Sequence, residues 1–136
     1  MTKPLLADGR GYDVFPATEQ ELVKALEDMD ARFAEEDEPR LAVLFFEPEK
    51  KETPRLSIGL GAPECTLAFD TGDLSDIGAY SKGPREGDTT EVGYAYGDGY
   101  SEFYASTLVP KQTAFAAARE FFRTGRRPAT VQWQDV

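Results

Sequence analysis

Histidine is missing from this sequence of 136 residues. Its absence removes the commonest general base and the commonest neutral metal ligand. Ser-His and Cys-His mechanisms are therefore excluded, and no zinc site is expected. Cysteine occurs once, at Cys65, so no internal disulfide can form. Cys65 lies in the strand-like run ECTLAF, where a buried core thiol is the expected role rather than a nucleophile. Positive charge is scarce: 15 Lys and Arg stand against 25 Asp and Glu, a formal net charge of −10. Free nucleic acid is a poor partner for such a chain, because phosphate binding needs clustered cations. No apolar run approaches the roughly 18 residues of a membrane span. The opening MTKPLLADGRGYDVF has no secretory pattern. The expected place is the cytoplasm, with no membrane partner.

Enough apolar residues remain to build a core. They make up 40 % of the chain, with 12 % aromatic, which suits one folded domain over residues 1–136. PATEQELVKALEDMDARFAEEDEP reads as a helix. Thr18 with Glu21 forms a capping box, and Leu22, Leu26, Met29 and Phe33 make one apolar stripe. Pro39 requires the helix to end before it. RLAVLFFE (40–47), RLSIGLG (55–61) and ECTLAFD (64–70) read as strands. The Gly- and Asp-rich stretch TGDLSDIGAYSKGPREGD reads as mostly loop.

Gly97-Asp98-Gly99 marks a turn between two aromatic-rich strands in TEVGYAYGDGYSEFYAS, a hairpin signature. PKQTAFAAAREFFRTG reads as a second helix. Pro110 suits its first position, Ala114, Ala118, Phe121 and Phe122 with Phe115 form its buried stripe, and Gly125 ends it. ATVQW returns as a last strand with Val131 and Trp133 on one face. The result is an α+β domain, a mainly antiparallel sheet with two principal helices packed on it. Charge is unevenly spread: from Lys111 to Val136 the net is +3, which leaves −13 for the first 110 residues.

GYAYGDGYSEFYASTLVPKQTAFAAAREFFRTGRRPATVQW resembles the C-terminal signature of immunity protein family one of bacterial polymorphic toxin systems. The matching features are Gly97 and Gly99, Glu102-Phe103, Val109-Pro110, Ala114, Ala117, Glu120-Phe121-Phe122, Thr124-Gly125, Pro128, Val131 and Trp133. The resemblance implies a small cytoplasmic antitoxin, not an enzyme, that binds a cognate toxin's C-terminal domain. The toxins most associated with the family are nucleic-acid deaminases. It implies no cofactor, no metal and no direct nucleic-acid contact.

Stoichiometric occlusion of a deaminase's substrate surface needs acidic residues for the field and aromatic anchors for affinity. The candidate toxin-binding residues are Tyr94, Tyr96, Asp98, Tyr100, Glu102 and Tyr104 of the hairpin. One acidic loop is expected to join them, either Glu35, Glu36 and Asp37 with Glu38, or Asp70, Asp73 and Asp76. Most signature residues have backbone or core reasons to be there. Glu102 does not, and a pairing with Arg119 or Arg123 stands as the alternative to toxin contact. Two other readings stay open. One is a carboxylate enzyme with Asp70, Asp73 and Asp76 around Ca²⁺ or Mg²⁺. The other is an acidic interaction module or nucleic-acid mimic with a different partner.

Overall fold

The computed structural model of the protein describes residues 3–73 and 78–135. In chain order its elements are β1 (Leu5–Ala7), β2 (Asp13–Val14), α1 (Glu19–Glu35), β3 (Arg40–Phe45), β4 (Arg55–Leu60), β5 (Glu64–Cys65), β6 (Leu67–Asp70), β7 (Ala79–Ser81), β8 (Glu91–Tyr96), β9 (Gly99–Tyr104), β10 (Val109–Pro110), α2 (Lys111–Thr124) and β11 (Trp133–Asp135). A 3-10 turn, Ala105–Thr107, links β9 to β10. The main sheet runs β11-β7-β6-β4-β3-β1-β2, with the β8–β9 hairpin attached at β3. Every pairing is antiparallel except β3 with β8, so the architecture is α+β with a mainly antiparallel sheet.

The strand period sorts side chains to two faces of that sheet. Ala42, Leu44, Leu56, Ile58 and Leu67 face the helices. They meet Leu22, Leu26, Met29 and Phe33 of α1 and Ala114, Ala117, Ala118 and Phe121 of α2. All four residues of the α1 stripe are fully buried, each contributing about 2 kcal/mol relative to exposure. Leu41 and Val43 face the other way, where Tyr94 and Phe103 cover them. The hairpin is thus a third layer, on the side of the sheet away from the helices. Gly59 makes its close approach possible, because a Cβ there would lie 2.4 Å from the Tyr94 ring.

Helix ends follow their sequence signals, with two adjustments. Thr18 Oγ1 accepts from the Glu21 N–H at 3.1 Å, as the capping box requires. Glu21 Oε1 reaches one residue further back than the box expects, to the Ala17 N–H at 3.1 Å. After α1, Asp37 takes the left-handed conformation (φ 54°) that glycine usually fills. Gly125 does the same after α2 (φ 68°). Pro110 precedes α2 rather than opening it: its ψ of 146° is extended, and it pairs with Glu64.

Three further expectations change. The single strand over 64–70 is broken at Thr66, whose hydroxyl lies 2.9 Å from that of Thr107 and accompanies the β5–β10 pair. The loop after Asp70 contains β7, which pairs with both β6 and β11. Phe115 and Phe122 are only half-buried against the core, so the buried face of α2 is Ala114, Ala117, Ala118 and Phe121, the last in ring contact with Phe46 and Phe69. Trp133 packs edge-on to Phe69, and its indole N–H donates to the Pro128 carbonyl at 2.7 Å.

Candidate functional site

The hairpin register places Tyr94 opposite Ser101, Gly93 opposite Glu102 and Glu91 opposite Tyr104. Residues directly opposite share a face. The six hairpin candidates therefore do not form one surface. Tyr94 is inward and only 2 % exposed, with its ring against Phe103 at 5.9 Å and its hydroxyl 3.4 Å from Thr66 Oγ1. Burial pushes its phenol pKa above the ordinary value. Tyr96 is inward and half-buried, packed on the same cluster. Tyr100, Glu102 and Tyr104 point outward, with the two rings 69 % and 53 % exposed. Asp98 is exposed at the turn.

Outward placement has a local cause. Phe103 lies inward against Tyr80 and Tyr94, so its neighbours Glu102 and Tyr104 must face out. Across the strands, Gly93 leaves room for Tyr100, whose hydroxyl would lie 1.8 Å from any Cβ there. Sequence reasoning missed Glu91, which shares the outer face with Tyr104. Counting residues back from the two-residue turn would have found it.

The two acidic segments are placed very differently. Glu35 to Glu38 are exposed and adjoin the hairpin, since the next residue, Pro39, accepts from the Ala95 N–H at 3.0 Å. Glu36 takes Arg10 at 3.0 Å. Glu38 lies 3.2 Å from Nε of Arg40, a guanidinium only 5 % exposed that also donates to the Gly97 carbonyl at 3.4 Å. Asp70 sits at the other end of the sheet, opposite Arg55, with which it makes an ion pair at 3.6 Å. That is five residues along β3 from the hairpin junction at Arg40, roughly 16 Å of strand. Asp73 is exposed beyond it, and Asp76 lies outside the described residues. Among the described residues no three acids or thiols gather as a metal site.

The arginines of α2 do not reach Glu102. Arg119 Nε and Arg123 Nη1 both bond Glu19 Oε1 at 3.0 Å, tying the start of α1 to α2. Among the described residues Glu102 has no ion pair. Cys65 is fully buried, and burial pushes its thiol pKa up to about 12. No helix among the described residues is long and apolar enough to cross a membrane.

This outer hairpin face, aromatic and acidic, is carried by a chain whose residues 10–135 match the family model for Immunity protein Imm1. The chain belongs to that immunity protein family. No curated protein matches it. Membership implies a cognate toxin as partner, and it accounts for a signature made mostly of turn and core residues. Gly97 and Gly125 take the left-handed backbone of their turns and Phe121 is buried in the core, while Tyr100 and Tyr104 between them are exposed.

Proposed function

We propose that this protein neutralises a nucleic-acid deaminase toxin by stoichiometric binding, without turnover, in the cytoplasm of the cell that makes it. Family membership supports the immunity role. The observation that carries the binding mode is the outer face of the hairpin, where Tyr100 and Tyr104 stand exposed beside Glu102, which has no ion pair among the described residues. A deaminase that takes a single strand needs a cationic channel and aromatic platforms for bases. A surface that alternates rings and carboxylates is complementary to such a channel in both charge and stacking. The Glu35 to Glu38 loop adjoins this face and extends its negative field, whereas Asp70 and Asp73 lie too far along the sheet to join it.

The test is co-purification with the toxin domain encoded beside this gene, followed by a deaminase assay on single-stranded DNA and RNA. The expected result is a one-to-one complex with activity abolished. Tyr100→Ala and Tyr104→Ala each weaken that complex about tenfold or more, as central aromatic anchors do. A deaminase that stays fully active in excess of this protein sinks the reading.

A further inference from the structure

A cleft of about 570 Å³ opens between the hairpin and the β7–β11 end of the sheet. It runs beside β9, which among the described residues pairs with a strand on one side only. Three carboxylates line it, from Glu91, Glu102 and Asp135, and no Lys or Arg does. None of the three has an ion pair among the described residues. Lys82 and Arg85, on the segment after β7, pair instead with Glu86 and Glu64. Three aromatic residues, Tyr80, Phe103 and Tyr104, also border the cleft.

Ser106 supplies an independent indication. It lines the same cleft and is only 8 % exposed. Its backbone is satisfied, the N–H by the Asp88 carbonyl and the carbonyl by the Gly83 N–H. Its hydroxyl has no hydrogen-bond partner among the described residues. An unpartnered hydroxyl on a residue nine-tenths buried, open on the wall of a carboxylate cleft, leaves an acceptor for an incoming donor.

We propose that this cleft is the socket for an arginine side chain of the toxin domain, its guanidinium held among Glu91, Glu102 and Asp135. The assignment rests on the toxin-binding reading above. Arginine fits better than lysine for two reasons. Its planar fork offers five donors to several carboxylates and a hydroxyl at once, and its flat face stacks on a phenol ring. An enzyme that grips a nucleic-acid strand carries such arginines on the surface an inhibitor must cover.

Two measurements decide it. The first needs no toxin: the isotope-labelled chain is titrated with N-acetyl-arginine amide, and backbone amide shifts are followed by NMR. Saturable shifts are expected at Glu102, Tyr104 and Ser106. They should be absent with N-acetyl-norleucine amide and lost in the exposed-site variant Glu91→Gln/Glu102→Gln. No saturable shift, or equal shifts with the uncharged probe, overturns the socket. The second uses the toxin domain. The same double variant should weaken the complex about tenfold or more, and Asp135→Asn should weaken it less but measurably. Unchanged affinity in the double variant overturns the socket while leaving the immunity reading intact. If the wild-type chain fails to bind the toxin domain, the immunity reading fails, and the arginine probe still decides the cleft.

Discussion

Gly59 lies beneath the Tyr94 ring with no space for a methyl group. Gly59→Ala must push the hairpin off the sheet or distort β4. We expect a loss of about 1–3 kcal/mol in urea unfolding, a large share of the stability of a small domain. Cys65 makes a different prediction. Its thiol pKa is raised from an ordinary 9.0 to about 12 by burial. Above pH 9 the unfolded thiol ionises while the folded one stays protonated, so folding stability falls as pH rises from about 9 towards about 12. Cys65→Ala should show a shallower alkaline decline than wild type when denaturation midpoints are compared across that window. Asp37 shows how a residue can carry an acid's charge and a glycine's backbone at once. Its left-handed φ of 54° is a structural requirement of the turn, independent of any partner.

Glu19 joins the two helices, accepting from both Arg119 and Arg123. Burial opposes its charge, but the two arginine hydrogen bonds outweigh burial and hold the carboxyl below its ordinary 4.5. A depressed carboxyl stabilises the fold above its unfolded pKa, and that stabilisation is lost as pH falls through the folded value. Glu19→Gln should therefore cost about 0.5–1 kcal/mol near neutral pH, since both arginines are half-exposed. The difference from wild type should close as pH drops well below 4.5, as followed by thermal denaturation. Both helices were legible in the sequence because their stripes are long and their ends carry recognisable caps. β7 was not: three residues, Ala79–Ser81, are too few to show a period, and pairing with β11 defines them. The hairpin was legible as a hairpin, but a period of two says only that two faces exist. Tyrosines stand on both, and which face is covered depends on Leu41 and Val43 of β3, distant in sequence.

Both layers are acidic, α1 carrying six acids against Lys24 and Arg32, but the hairpin layer has no cation at all. From residue 86 to residue 110 the chain has five acids and no Lys or Arg. Arg119 and Arg123 lie in the helix layer on the far side of the sheet. A net charge of −10, with a hairpin free of cations, should speed encounter with a cationic partner. We expect the association rate with the toxin domain to fall about tenfold or more between low salt and 0.5 M salt, with the dissociation rate changing much less. A rate indifferent to salt in stopped-flow mixing would contradict this. The uneven charge was half-legible: residue counts located the positive tail, while only the layering places Arg119 and Arg123 on the side of the sheet away from the hairpin. The hairpin's two faces also bear on how such a protein diversifies. Val92, Tyr94 and Phe103 answer to the sheet, whereas Glu91, Tyr100, Glu102 and Tyr104 are exposed on the outer face, where Tyr100 needs only the room over Gly93. Alternate letters of one short stretch can therefore drift with a changing adversary while the letters between them stay fixed, and a lineage can change its target without refounding its fold.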